Sequence, residues 1–284
     1  MGVYAVTGSA SGMGRKVAEK LRDASHTVIG VDVKQAQIVA DLSTVEGRRA
    51  AADGVLAASE ARLDGAVLAA GLGPGEGPDR ARLIAQVNYF GVVDLLDVWR
   101  PALAAADRAK VVVFSSNSTT TTPAVPARTV RAFLAGDAET AVRSVRFYGN
   151  NASVIIYAAS KVAVSRWVRL EAVKNQWAGA GIRLNALAPG AIMTPLLEEQ
   201  LSAPKRARYV RSFPVPIGGF GDAGQLADWV VFMLSDAADF LCGSVIFVDG
   251  GSDAYFRAND WPRPVPAYRL LPYLKRFRAG DRRE

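Results

Sequence analysis

Val3-Tyr4-Ala5-Val6-Thr7-Gly8-Ser9-Ala10-Ser11-Gly12-Met13-Gly14-Arg15 is the stretch that decides the fold. An apolar run meets three glycines, and the segment up to Arg22 then carries Val17, Ala18 and Leu21 at helical spacing. This is a strand, a glycine-rich turn and a helix. The glycines divide the work. Gly8 permits the tight turn, Gly12 lets the backbone approach a pyrophosphate, and Gly14 lets the helix pack on the sheet. Ser11 and Met13 sit between them, where the helix start offers backbone N–H groups and a positive dipole end to an anion. The spacing is G-x-x-x-G-x-G rather than G-x-G-x-x-G, so the turn takes its meaning from the elements after it.

Those elements alternate regularly. Apolar runs at 27–33, 38–40, 65–70, 111–114, 182–188 and 244–248 read as further strands. Helical patterns lie between them at 44–59, 81–106, from Tyr157 to about 177, and at 223–234. Such alternation predicts one α/β domain, a Rossmann-type doubly wound parallel sheet of about seven strands flanked by helices. We assign 1–251 to this dinucleotide-binding and catalytic domain, with an insertion at about 117–156. The insertion starts Thr-rich and predicts a helix over about 126–134. A pair of short helices over 196–212 would cover the mouth of the site, and 252–284 form a basic extension rich in Pro and aromatic residues.

Composition narrows the chemistry. The chain has 284 residues, half of them hydrophobic, enough for a substantial core. No apolar run approaches a membrane span. The strand-like start leaves no room for a signal peptide, and the single cysteine, Cys242, fits a reducing compartment. A cytoplasmic location is expected. The net charge is +7, but the basic residues are spread along the chain and no nucleic-acid motif accompanies them, so no nucleic-acid partner is expected. One histidine, His26, and one cysteine exclude the usual Cys/His zinc sites, and no metal is expected. A histidine-based nucleophile would have to use His26, far in sequence from every other candidate. Acid–base work therefore falls to Tyr, Lys, Asp or Glu.

The candidates stand where strands end. Asp32, 18 residues past the last glycine of the turn, can accept hydrogen bonds from ribose hydroxyls and repel a 2′-phosphate. That argues for NAD over NADP, although Arg15, Lys16 and Lys34 lie near in sequence and a plain solvated aspartate is the bland reading. Asp41, before Leu42, could meet the adenine amino group or cap the next helix, where Ser43 competes. Ala70-Gly71 suits a ligand lying against backbone. Asn88 is a poor helix former inside an apolar helix and needs a partner if buried. Ser115-Ser116 is delivered at a strand's carboxyl end, where open sheets bind ligands. Tyr157 and Lys161 stand one helical turn apart on one face. An ammonium there would favour the phenolate and lower the tyrosine pKa. Chance alone also yields many such pairs.

Together, Thr7-Gly8-x3-Gly12-x-Gly14, Asp32, Asn88, Ser115-Ser116, Tyr157-x3-Lys161, Pro189-Gly190 and Thr194, in this order, resemble the short-chain dehydrogenase/reductase family over residues 3–251. The long insertion, Asn88-Tyr89-Phe90-Gly91 and Ala70-Gly71-Leu72-Gly73-Pro74 look most like its bacterial 3α-hydroxysteroid dehydrogenase/carbonyl reductase branch. One departure is Leu68-Ala69-Ala70-Gly71, where the family carries Asn-Asn-Ala-Gly and side chains that steady the sheet. The resemblance implies an NAD(H)-dependent oxidoreductase acting on a secondary alcohol or ketone. Tyr157 would exchange the proton, Lys161 would lower its pKa and bind the nicotinamide ribose, and Ser116 would hold the substrate oxygen. Asn88 would hold a relay water, and Ile192 and Thr194 would bind the carboxamide. It also implies a homo-oligomer, although the insertion lies beside the helices around Asn88 and Tyr157 through which many members dimerise. Ala, Val, Thr, Met and Phe near the site point to an apolar substrate such as a hydroxysteroid. The rival reading is a non-catalytic dinucleotide sensor of the same fold. The segment 268–278 mixes Leu, Tyr and Phe with Arg and Lys, a pattern fit for peripheral contact with an anionic membrane, for a subunit interface, or for cover of the pocket.

Overall fold

Side chains alternate across each strand, so Ala5 faces one side of the sheet while Tyr4 and Val6 face the other. This alternation recurs in every central strand and gives the sheet two apolar faces, as a parallel sheet covered on both sides requires. The computed structural model describes residues 1–202, 204–262 and 264–280. Arg263 and residues 281–284 of the extension lie outside the described residues, as do the side chains of 276–280.

The chain begins with β1 (Val3–Thr7), α1 (Gly12–Asp23), β2 (Thr27–Asp32), β3 (Ile38–Val39), α2 (Val45–Ala58) and β4 (Gly65–Leu68). Then come α3 (Arg80–Ala85), a π-turn (Gln86–Phe90), α4 (Gly91–Ala104) and β5 (Lys110–Phe114). The insertion holds α5 (Ser118–Thr121), α6 (Ala127–Leu134) and α7 (Ala138–Arg143), and leads into α8 (Ala152–Glu171). Next are β6 (Arg183–Pro189), β7 (Ile192–Met193), α9 (Pro195–Ser202), α10 (Pro204–Ser212) and β8 (Gly221–Asp222). The chain continues through α11 (Ala223–Leu234), β9 (Val245–Val248), α12 (Ser252–Arg257) and α13 (Leu270–Gly280).

Seven strands form one sheet in the order β3-β2-β1-β4-β5-β6-β9, every pairing parallel. This is the doubly wound sheet expected from the alternation. Strand order reverses between β1 and β4, and the crevice beyond their carboxyl ends is where such sheets bind ligands. One core cluster packs α2, α4 and α8 on the Ala5 face, with Trp99 fully buried at its centre. The other packs α1 and α11 on the Tyr4 face, through Val17, Leu21, Leu226 and Val230.

Three expectations need correction. The 81–106 stretch is not one helix but two joined by the π-turn that holds Asn88, a feature frequent at functional sites. α8 ends at Glu171, before Trp177, which is instead buried against Trp167 at 5.8 Å. α2 is capped by neither Asp41 nor Ser43: the Thr44 hydroxyl accepts from the Gly47 N–H at 2.9 Å. The insertion carries more helix than the sequence pattern suggests. α6 and α7 pack on α8 and α3, Phe133 sits against Tyr89 at 5.1 Å, and Arg82 of α3 pairs with Glu139 of α7.

Candidate active site

The glycine turn is built by close approach. Gly8 has φ +71, and a Cβ there would lie 2.8 Å from the Ala70 nitrogen. A Cβ on Gly14 would lie 2.3 Å from the Gly8 carbonyl oxygen, so only glycine lets α1 start this near β1. Ser11 precedes α1 without a capping bond from its side chain, and the first turn has no acid. The N–H groups at the start of α1 are therefore offered to an anion, while those of Gly8, Ser9 and Ala10 are spent on Val31 and Asp32. Met13 packs on the second core cluster. The Thr194 methyl lies 3.6 Å from the position of a Gly12 Cβ, so the segment after β7 meets the turn from above. Gly14→Ala is expected to raise the KM for nicotinamide dinucleotide at least about tenfold and to lower stability by roughly 2 kcal/mol through overpacking. Cofactor titration and urea denaturation check both.

Asp32 is not simply solvated. Its carboxylate accepts from the Ala10 N–H at 3.0 Å and the Val33 N–H at 2.7 Å, tying β2 to the turn. The Asp41 carboxylate accepts from the Ser43 N–H at 2.8 Å and is exposed, while Leu42 is buried. The Leu42 carbonyl accepts from Arg48 at 3.1 Å, and Arg48 also reaches Asp94 and Gln86. Ala70 and Gly71 follow β4, and the Ala70 N–H donates to the Thr7 hydroxyl at 3.1 Å. Thr7 thus supplies a side-chain tether between neighbouring strand ends where Leu68-Ala69 offers none. At the end of β6, the Pro189 carbonyl accepts from Asn117 N–H at 2.9 Å and Gly190 N–H donates to Val248 at 3.0 Å. Ile192 is buried and pairs with Gly221 in the small β7–β8 sheet, which steers the chain toward Thr194.

The two serines separate by role. The Ser115 hydroxyl is spent on Ser165 at 2.6 Å, inside the β5–α8 contact. Ser116 turns the other way: it accepts from the Ser118 N–H at 3.1 Å and hydrogen-bonds the Tyr157 phenol. Lys161 is only 5% exposed, and its ammonium donates to the Phe114 carbonyl at 2.7 Å. Asn88 is fully buried, and both ends of its amide pair with the Leu72 backbone, at 2.8 and 2.9 Å. That pairing holds the loop after β4 in place. A Cβ on Gly71 would lie 3.4 Å from the Asn88 oxygen and 3.8 Å from the Lys161 nitrogen, so the three groups meet at one point.

The electrostatics correct the expected tyrosine shift. Burial pushes the Tyr157 phenol up, and the opposing pull is the Ser116 hydrogen bond. Lys161 is not among the groups that pull it down, and burial lowers the lysine itself to about 8. Its charge is held on a carbonyl rather than against the phenol.

A family model described as enoyl-(acyl carrier protein) reductase matches residues 139–253. The 3-alpha-hydroxysteroid dehydrogenase/carbonyl reductase of Comamonas testosteroni is 35% identical over 264 residues, covering 92% of this chain and 100% of that protein. The chain belongs to the short-chain dehydrogenase/reductase family. Within it, the 2-(S)-hydroxypropyl-CoM dehydrogenase 3 of Xanthobacter autotrophicus is 30% identical over 89% of this chain and 96% of its own. The 3-alpha-hydroxysteroid dehydrogenase of Pseudomonas sp. B-0831, in a complex with NADH, superposes with a TM-score of 0.84 at 42% identity, covering 90% of this chain and 99% of that one. This short-chain dehydrogenase/reductase is thus an oxidoreductase that uses a nicotinamide dinucleotide. The turn fits that group: Gly8 and Gly14 leave no room for side chains, and the N–H groups at the start of α1 suit a pyrophosphate.

Sequence reasoning missed Thr7, Ser165 and Arg48 as supports of this short-chain dehydrogenase/reductase site. Thr7 stood inside the quoted turn, and its hydroxyl next to Gly8 was a usable signal. Ser165 is eight positions beyond Tyr157 and Arg48 sits on α2; neither carries a local signature.

Proposed function

We propose that the chain is an NAD(H)-dependent dehydrogenase that interconverts a bulky, apolar secondary alcohol and its ketone, with a hydroxysteroid as the substrate class. The single observation that carries this reading is the Tyr157–Ser116 hydrogen bond beside buried Lys161, beyond the carboxyl end of β5. Tyr157 gives the proton to the carbonyl oxygen in reduction and takes it from the hydroxyl in oxidation. Ser116 steadies the same oxygen as charge develops on it. Lys161 binds the nicotinamide ribose, Asn88 orders the Leu72 loop beside it and stands on a proton relay, and Ile192 with Thr194 holds the carboxamide. The nicotinamide, when bound, supplies or accepts the hydride. The sensor reading is not favoured, since a sensor has no use for this proton-transfer set.

NAD over NADP is supported by the Asp32 carboxylate, held at the turn by the Ala10 N–H. Arg15 and Lys16 both reach Glu19, at 3.4 and 2.8 Å, which occupies two cations that could otherwise attract a 2′-phosphate. Asp32→Ala is expected to reduce the NAD-to-NADP ratio of kcat/KM by roughly 10- to 100-fold, or about 1–3 kcal/mol. Initial rates with both cofactors measure this, and an unchanged ratio would refute the assignment.

The enzyme is proposed to work in the cytoplasm as a homo-oligomer whose copies meet away from the faces of α3 and α8 that α6 and α7 cover. Peripheral membrane contact through the tail belongs to the same proposal. Nicotinamide absorbance with a panel of steroid and smaller ketones and alcohols tests the function: tight NAD binding without turnover of any of them would favour the sensor.

A further inference from the structure

From Trp261 to residue 280 the sequence holds five basic residues and no acidic one. The described apolar side chains among them are not put away. Trp261 is 67% exposed, Tyr268 79% and Leu271 73%, and Leu270 and Leu274 lie one turn apart on α13, both outside the core. Arg269 stacks over the Tyr268 ring at 5.6 Å. α13 packs back on the single turn, Ala267–Arg269, that precedes it. Exposed aromatic and leucine side chains interleaved with positive charge are the mark of a helix that lies in a membrane interface. With 11 residues α13 lies on a surface, and no helix among the described residues is long and apolar enough to cross a membrane.

The tail also starts at a telling place. Asp253 of α12 faces Thr120 of α5, the helix that follows Ser116. The Ser252 hydroxyl donates to the Pro214 carbonyl at 2.7 Å, and Phe256 lies 5.8 Å from Phe213, just past α10. α12 is therefore wedged between the helix behind the catalytic serine and the end of the helix pair expected over the mouth. Whatever holds the tail holds this rim.

We propose that the segment from Trp261 through α13 docks the enzyme on an anionic lipid surface, with Leu270, Leu271 and Leu274 in the interface and Arg269 and Lys275 on the headgroups, so that the substrate mouth faces the bilayer. A second copy of the tail is a poor occupant, because two such segments would bring like charges together. The docking deepens the tail contact included in the proposed function; the orientation of the mouth rests on that function's reading of an apolar substrate, which would partition into the same bilayer.

Flotation of the full-length enzyme with phosphatidylcholine vesicles, with and without phosphatidylserine, tests this. Binding is expected only with phosphatidylserine and should fall away at high salt. Arg269→Ser with Lys275→Ser should weaken it roughly 25-fold, about fivefold per basic residue. Leu270→Ser with Leu274→Ser should also release the protein although every charge remains, and both double variants should keep full turnover of a water-soluble ketone. No binding by the full chain, binding unchanged in the leucine variant, or unchanged binding of a chain ending at Ala258 would each overturn the proposal. So would vesicles left unbound while the shortened chain changes its oligomeric mass, which would make the tail a subunit contact. Flotation needs no turnover: a chain that floats but acts on no alcohol or ketone faults the functional reading, and one that turns over but does not float faults the docking.

Discussion

Tyr157→Phe is expected to lower kcat by roughly 10³-fold, within the range that general acid–base catalysis contributes. The substitution removes one oxygen and leaves the ring, which packs against the main core cluster. It takes away the hydrogen bond to Ser116 and with it the group proposed to exchange the substrate proton. Stability should change by only about 1 kcal/mol, the net worth of one hydrogen bond. Binding of the dinucleotide should be nearly unchanged, since the pyrophosphate turn and Asp32 lie on other elements. Because burial raises the phenol pKa, Tyr157 holds its proton at neutral pH and starts as an acid, which suits ketone reduction. Oxidation asks it to accept a proton from the substrate hydroxyl, so the rate of oxidation should climb more steeply with pH than that of reduction. Rates in both directions, cofactor titration and urea denaturation check these points together. A loss below about tenfold would mean that another group moves the proton.

The sequence announced the sheet because its signals are local. Thr7 to Gly14 can be read without knowing any distant residue, and each apolar run reports its own burial. The strand ends then name Asp32 and Ser116, and one-turn spacing on a helix names Tyr157 with Lys161, before any contact is known. What stayed hidden depends on partners far along the chain. Thr7 steadies Ala70 across 63 positions, and Ser115 is claimed by Ser165 across 50. Nothing near Ser115 reveals that claim; strand alternation alone separated it from Ser116. Asn88 was visible as an oddity in a helix, but its partner, the Leu72 backbone, and the π-turn that turns it there are properties of the packed loop. The tyrosine shift was misjudged for a related reason. One-turn spacing puts Lys161 on the right face, yet says nothing of burial or of the Phe114 carbonyl that engages the ammonium.

Lys161→Met should produce an enzyme that is more stable and far less active. The lysine is buried, and burial brings its pKa from 10.5 to about 8. The folded state therefore disfavours the charged form. Below pH 8 both states carry the proton, and the full burden is present. Between about pH 8 and 10.5 the unfolded chain still binds a proton that the folded one has shed, so stability rises with pH across that window. The difference, 10.5 minus about 8, corresponds to roughly 3 kcal/mol. Methionine has a similar shape and no charge, so the variant should gain about 2 kcal/mol at neutral pH once about 1 kcal/mol is deducted for the lost Phe114 hydrogen bond. Its rise in stability above pH 8 should lack the lysine contribution, so the two denaturation curves should cross before pH 10.5, with the wild type ending about 1 kcal/mol ahead by its Phe114 hydrogen bond. Meanwhile kcat should fall by roughly 10²–10³-fold, because the group proposed to bind the ribose and feed the proton path is gone. Urea midpoints at neutral and alkaline pH, beside steady-state rates, separate the two effects. A variant both less stable at neutral pH and equally dependent on pH would show that Lys161 is charged in the folded protein at little cost, and that its ammonium is held by more than one carbonyl.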